Sequence, residues 1–252
     1  MTTIIMHGCN GKMGQVITGL VAENTETKMV AGIDPYTGLE NTYDVVTSPA
    51  ACTTKADVII DFSNAAAVNG IIDYAVETQT PIVICTTGLS ETQIAYLKAA
   101  SAKVAILFSA NMSLGVNLLI SLAKKATAIL TDANFDIEII EKHHNQKVDA
   151  PSGTALAIAD GINEELDHSY SYQYDRSKDR VKRPKKEIGL HAVRGGTIVG
   201  EHDIIFAGED EIIELNHKAM SKKIFAVGAV NAAKFLKGKP AGLYSMADLM
   251  NF

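Results

Sequence analysis

Thr2–Gly14 reads TTIIMHGCNGKMG, an apolar run ended by Gly8, with two further glycines at Gly11 and Gly14 as the helical spacing of Met13 to Ala22 begins. In a strand–turn–helix of this kind the first glycine makes the tight turn, the second lets backbone approach a pyrophosphate, and the third allows close helix packing. The helix start then offers unpaired N–H groups and a partial positive charge to an anion. Glycines of this spacing also serve ordinary structural turns, so the context matters. Asp34 ends the next apolar run, 20 residues past Gly14, where an acidic side chain can accept hydrogen bonds from an adenosine ribose. The reading is a dinucleotide cradle made of Gly8, Cys9, Asn10, Gly11, Lys12 and Met13, with Asp34 at the ribose.

Outward from this turn, short β-branched runs alternate with helical stretches as far as Phe108. Thr2 to His7, Met29 to Asp34, Val58 to Phe62, Ile82 to Cys85 and Val104 to Phe108 are nearly continuous apolar segments, as buried parallel strands are. Met13 to Ala22, Ala65 to Glu77 and Glu91 to Ala102 carry helical spacing between them. Such alternation implies right-handed crossovers and an α/β fold with a doubly wound, Rossmann-like parallel sheet, whose ligands sit at the C-terminal strand ends. Two of those ends, Cys85-Thr86-Thr87 and Ser109-Ala110-Asn111-Met112, offer hydroxyls, an amide and backbone to a cofactor, or are plain strand-to-helix loops.

After Asn111 the pattern changes. Val116 to Leu130 and Gly153 to Leu166 read as helices, and Phe135 to Lys142, Gly189 to Arg194, His202 to Ala207 and Glu211 to Lys218 as strands with short turns, an α+β arrangement. The expected division is residues 1–112 with 220–252 as the dinucleotide-binding domain, and 113–219 as a substrate-binding and oligomerisation domain, with Lys222 to Leu236 a helix returning to the first. Arg176 to Lys186 holds seven basic residues against one acid, Asp179, and reads as a solvated loop.

The bulk properties bound the function. Across 252 residues, 47% hydrophobic and 21% charged with a net charge of -6, the composition is that of a globular protein, and the acidic balance excludes nucleic acid as the main partner. Apolar runs stop well short of the roughly 20 residues a membrane helix requires, so no membrane partner is expected. The N-terminus shows no export signal. Three widely spaced cysteines, Cys9, Cys52 and Cys85, match no disulfide or zinc pattern and suit a reducing cytoplasm.

The densest chemistry is EKHHNQKVDAPSGT, Glu141 to Thr154. Adjacent strand residues point to opposite faces, so His143 and His144 share a pocket only if the chain has left the strand, and a loop is the preferred reading. Pro151 and Ser152 look like a helix entry at which Gly153 and Thr154 present backbone N–H groups to a carboxylate. Lys147 adds a full charge, and a histidine titrates near neutral pH, so anion binding and proton transfer coincide. A metal held by Glu141, His143, His144, His191 and His202 lacks the HExxH spacing, and Ser152 lacks a nucleophile elbow. No metal is expected.

This segment closely resembles the signature of the 4-hydroxy-tetrahydrodipicolinate (dihydrodipicolinate) reductase family of diaminopimelate and lysine biosynthesis. The likeness extends to DFS at Asp61, TTG at Thr86, SANMSLGVN at Ser109, RGGTIVGEH at Arg194 and FAVGAVNAAKFL at Phe225. It implies NADH or NADPH delivering hydride to a small cyclic dicarboxylate, His143 as proton donor, and Lys147 as a second donor that also binds substrate. His144, Gly153 and Thr154 would hold the carboxylates, and the glycine loop, Asp34, Cys85 to Thr87 and Ser109 to Met112 would line the cofactor. It also implies a homotetramer sharing a sheet. Asp34, with no arginine after it and Lys12 within reach, predicts NADH preference or dual use. A different two-domain nicotinamide dehydrogenase, or a non-catalytic dinucleotide sensor, would use many of the same features.

Overall fold

Alternating apolar runs and helices build two sheets with separate cores. The structure, a computed structural model, describes residues 1–250. It divides into one unit comprising Met1–Leu114 with the segment from Lys223 onward, and a second comprising Gly115–Lys222.

In the first unit β1 (Thr2–His7), α1 (Lys12–Ala22), β2 (Thr27–Ile33), β3 (Asp44–Val46), β4 (Val58–Asp61), α2 (Ala65–Thr78), β5 (Ile82–Ile84), α3 (Glu91–Ala100) and β6 (Ala105–Phe108) follow in turn. The second unit holds α4 (Leu114–Leu130, whose first residue belongs to the first unit), β7 (Asp136–His143), α5 (Gly153–Glu164), β8 (Ser171–Gln173), β9 (Glu187–Arg194), β10 (Gly200–Ala207) and β11 (Ile212–Ala219). The chain then returns to the first unit as α6 (Lys223–Leu236), β12 (Gly242–Tyr244) and α7 (Met246–Met250).

The first sheet runs β12-β6-β5-β4-β1-β2-β3, every pair parallel. Order grows one way from β1 to β3 and the other way from β4 to β12, so the reversal lies between β1 and β4, where a doubly wound sheet opens its ligand crevice. Both sheet faces are covered. Ile4, Met6, Val58 and Ile60 pack on the α1 and α6 side with Ile17 and Ala229, while Ile5, Ile59, Ile71 and Ile72 form the core on the α2 and α3 side. Ile4, Ile5 and Met6 are fully buried, each worth roughly 1.5–3 kcal/mol of burial, which explains why β1 has no polar alternation.

The second sheet, β11-β10-β7-β9-β8, is mixed, with β7 antiparallel to β10 and parallel to β9. Its alternation is regular: Ile137, Ile139, Ile188, Leu190, Ile204 and Phe206 face α4 and α5 and make the third core. Register puts Ile140, Lys142, Val193, Ile205, Ile212 and Lys218 on the opposite face, where Val193 and Ile212 are exposed.

Three strands escape the sequence reading, β3, β8 and β12. Each has three residues, none of them fully buried, so neither a period nor a continuous apolar run marks it, unlike the equally short but buried β5. The basic stretch is an exposed loop, as expected, except at Arg176 and Arg183, which are partly buried and make fixed contacts. Arg183 donates to Glu138, Asp136 and the carbonyls of Ile137 and Glu187, and Arg176 pairs with Glu187. Gly189 makes room for this cluster, since a Cβ there would overlap the Glu138 carboxylate.

Candidate active site

In the first unit the glycine loop has the shape its spacing predicts. Gly8 takes φ +80°, which favours glycine, and a Cβ there would lie 2.5 Å from the Phe62 carbonyl oxygen. A Cβ on Gly14 would come within 2.2 Å of the Gly8 carbonyl oxygen, so α1 rests directly on the loop that precedes it. Gly11 is the N-cap of α1 and no side chain caps it, which leaves the positive end of the helix to an anion. The Asp34 carboxylate accepts the N–H groups of Asn10 (3.0 Å) and Tyr36 (2.9 Å), tying the end of β2 to the loop. These features fit a dinucleotide: a tight glycine turn packed directly against backbone, an open helix start and an adjacent carboxylate.

The remaining cofactor candidates divide by burial. Lys12, Thr87 and Ala110 are exposed, and Met13, Asn10, Ser109 and Asn111 are partly so. The side chains of Cys9, Cys85 and Met112 go into the core, so these three offer a ligand only backbone. Burial, with Asp34 nearby, pushes the Cys9 thiol up to about 11. The Ser109 hydroxyl donates to the Asn111 carbonyl (2.8 Å), fixing the loop after β6. Gly228 of α6 lies against the Met112 carbonyl, where a Cβ could not fit.

Beneath these strand ends lies a network the sequence reading did not find. Asp61, fully buried, pairs with His7 Nδ1 (2.7 Å) and accepts the hydroxyls of Ser63 (2.6 Å) and Thr86 (2.7 Å). The ends of β1, β4 and β5 are thereby joined through one carboxylate.

In the second unit β7 continues through His143, one residue beyond its expected end, so the loop begins only at His144. Alternation sets Glu141 and His143 side by side on the helix-covered face and Lys142 on the other. Glu141, 1% exposed, is bonded on both oxygens. Oε2 meets His143 Nδ1 at 2.6 Å and Arg194 at 2.7 Å, while Oε1 accepts Arg194 at 2.7 Å and the Ser152 N–H at 3.0 Å. Burial pushes the Glu141 carboxyl up, but Arg194, His143 and the Ser152 N–H outweigh it and hold the group below the usual carboxylate range.

The same carboxylate anchors the start of α5. Ser152 caps that helix, its hydroxyl accepting the Ala155 N–H (3.1 Å) and lying 3.2 Å from His202 Nε2. His202 meets His143 edge to face, ring centroids 5.3 Å apart. Burial first, then neighbouring His143, pushes His202 down to about 4, so it is neutral at pH 7. Gly195 N–H donates to the His143 carbonyl and Asn145 N–H to the Gly196 carbonyl, so the Arg194-Gly-Gly turn holds the loop's first residues. His144 Nδ1 is buried with no hydrogen-bond partner. Lys147 Nζ lies 2.8 Å from Asp149, and Lys147 with the Gly153 N–H draws the Asp149 carboxyl below its ordinary range. The groups read as a carboxylate receptor thus already engage a carboxylate of the chain itself.

The structure therefore gathers His143, Lys147 and the Gly153-Thr154 helix start in one loop and its flanks. Glu141, Arg194 and His202 join them, although sequence reasoning had named Glu141 and His202 only as possible metal ligands. The i, i+2 spacing of Glu141 and His143 on an alternating strand was the available signal. Among the described residues no group of three His, Cys, Asp or Glu side chains is placed to hold a metal ion, nor is any helix long and apolar enough to cross a membrane.

Residues 2–112 match the family model for the dihydrodipicolinate reductase N-terminus and 115–250 that for its C-terminus. A 4-hydroxy-tetrahydrodipicolinate reductase from Caldanaerobacter subterraneus subsp. tengcongensis is 50% identical over 99% of this chain and 98% of its own, and one from Clostridium tetani 45% over 100% and 98%. The dipicolinate-bound dihydrodipicolinate reductase structure from Paenisporosarcina sp. TG-14 superposes with a TM-score of 0.83 at 25% identity, covering 98% of both chains. A myo-inositol dehydrogenase from Corynebacterium glutamicum shares the fold alone, at TM-score 0.59 and 15% identity over 94% of this chain and 88% of that one. With both halves of the chain matched, and the Glu141 to Thr154 segment built around a held histidine, the protein belongs to the dihydrodipicolinate reductase family.

Proposed function

We infer that this chain reduces 4-hydroxy-tetrahydrodipicolinate at the expense of NAD(P)H, in diaminopimelate and lysine biosynthesis, with His143 as the proton donor. The activity is that of relatives 50% and 45% identical over essentially the whole chain. One observation carries the assignment of His143: a buried imidazole at the end of β7, one nitrogen held by Glu141, directly before the loop that carries Lys147 and leads to the start of α5. The dinucleotide supplies hydride when bound, and Gly8 to Met13, Asp34, Cys85 to Thr87 and Ser109 to Met112 would hold it. Net replacement of the substrate hydroxyl by hydrogen releases water, and hydride addition to the dehydrated ring leaves negative charge, which a proton from His143 quenches. Lys147, with the N–H groups of Gly153 and Thr154 at the helix start, binds a substrate carboxylate, which takes over the contacts now made by Asp149. His144, whose Nδ1 lacks a partner, is free to bind the other carboxylate. His143→Gln should lower kcat roughly 10²- to 10⁴-fold and leave the NADH Kd unchanged. Turnover equal to wild type would remove His143 from the mechanism.

The cofactor is NADH, or both forms, in our reading. Both Asp34 oxygens already accept backbone N–H groups beside the loop, and a 2'-phosphate would meet this carboxylate with only Lys12 to offset it. Comparing kcat/KM for NADH and NADPH checks this, and a strong NADPH preference would reject it. The assembly is a homotetramer, supported by the second sheet's open face with exposed Val193 and Ile212 beside the Lys142–Asp203 ion pair. Light scattering at micromolar concentration should give four times the chain mass, and a monomer would end the proposal.

A further inference from the structure

The Glu141 carboxylate is fully committed, yet none of its bonds is needed to hold β7 in its sheet. Two go to one guanidinium, one to the first residue of the α5 turn and one to His143. Arg194 faces Glu141 because parallel pairing of β7 with β9 sets it opposite His143, and antiparallel pairing with β10 sets His202 opposite Glu141. The bidentate Arg194 contact, with both N–O distances at 2.7 Å, fixes the carboxylate plane as well as its charge. On its other edge the imidazole runs close to Gly200, where a Cβ would come within 3.0 Å of Nε2. Ring rotation is restrained on both sides.

Resting on the reading that His143 donates the proton, we propose that Glu141, aligned by Arg194, is a positioning residue that keeps a hydrogen on His143 Nδ1 and so confines the transferable proton to Nε2. An ionised carboxylate can only accept, so the nitrogen facing it must carry hydrogen in every protonation state of the ring. When the imidazolium gives up its proton, the Nε2–H bond breaks, its electron pair stays on the ring, and the substrate gains the hydrogen. The neutral ring that remains is the Nδ1–H form, which is ready to be recharged at Nε2 from solvent. The other charged or titratable neighbours are Arg194, which does not exchange its proton, and His202, which is neutral at pH 7. Glu141, the acceptor bonded to His143 Nδ1, therefore sets the tautomer, the role a buried carboxylate plays beside a catalytic histidine elsewhere.

The test pairs Glu141→Gln with His143→Gln in the full-length protein. An amide can accept from Nδ1–H or donate to bare Nδ1, so it keeps the packing and loses the selection. For E141Q we expect kcat to fall at least about 10-fold and by no more than the roughly 10²- to 10⁴-fold loss for H143Q. Kd values for NADH and for pyridine-2,6-dicarboxylate should stay within about twofold. Ring 15N chemical shifts should report neutral His143 as the Nδ1–H tautomer in the unsubstituted protein and a mixture in E141Q. A wild-type ring that is Nε2–H when neutral would overturn the proposal whether or not E141Q folds. So would E141Q with unchanged kcat, or with lowered kcat and an unshifted tautomer. If H143Q itself keeps full turnover, the donor assignment fails instead, and the tautomer result shows separately whether Glu141 orients the ring.

Discussion

Each unit buries one carboxylate near the end of a strand against a histidine Nδ1, and the two are satisfied differently. Asp61, at the end of β4, has His7 and two hydroxyls, from Ser63 and Thr86. Glu141, near the end of β7, has His143, a backbone N–H and both arms of Arg194. Asp61, too, requires hydrogen on His7 Nδ1, but its hydroxyl partners rotate to suit the acceptor, so the network joins three loop ends without fixing the carboxylate plane. A guanidinium never yields its proton and fixes the acceptor plane. The difference matches the proposed roles: loops held in shape at the dinucleotide cradle, and a carboxylate fixed in plane beside the histidine proposed to donate the proton.

The contrast can be broken most severely at Arg194. Arg194→Met strands Glu141 as a buried charge without its cation and should cost about 3–5 kcal/mol, read as a lower midpoint in urea unfolding. A loss below 1 kcal/mol would mean that Glu141 is sufficiently held by His143 and Ser152 alone. Asp61→Asn should cost less, about 1–3 kcal/mol, because an amide still accepts from one hydroxyl. Its functional signature should be weaker NADH binding at nearly unchanged kcat. A kcat loss like that of H143Q would erase the distinction between the networks.

The smallest expected effect is in the acid limb of stability. His202 is pushed from its ordinary 6.5 down to about 4, so between those values the unfolded chain binds a proton that the folded chain refuses. The stability tied to neutral His202 is complete above about 6.5 and is lost as pH falls toward 4. His202→Gln should flatten the decline of Tm across that window. The loss at still lower pH, where Glu141 with its depressed pKa becomes protonated, should remain. An unchanged slope would place the acid sensitivity elsewhere, for instance at half-buried His217, which burial also shifts down.

Much of this was legible before any coordinates. The continuous apolar runs of β1, β4, β5 and β6 announce strands covered on both faces, because a two-sided burial leaves no polar period. The turn Gly8 to Gly14 announces its own geometry, since only glycine tolerates the positive φ at Gly8 and the 2.2 Å approach at Gly14. The Lys147 and Ser152-Gly153-Thr154 elements could be read as an anion receptor because lysine charge and a capped helix start are local properties. What was not local was not legible. Nothing along the exposed basic stretch reveals that Arg183 reaches Glu138 and Asp136 across 45 and 47 positions.

By itself, then, the sequence determined the period of the longer strands, the glycine cradle and a histidine and lysine beside a capped helix start, because each depends on residues within a few positions of one another. Only the tertiary structure decided which partners those groups have. His7 meets Asp61 because β1 and β4 pair in a register that sets the two opposite each other. Arg194 meets Glu141 because β9 lies beside β7 with His143 opposite Arg194. Strand register is settled by the burial of whole faces, so the Arg194 clamp on Glu141, on which the proposed role of Glu141 rests, follows from packing across the second sheet.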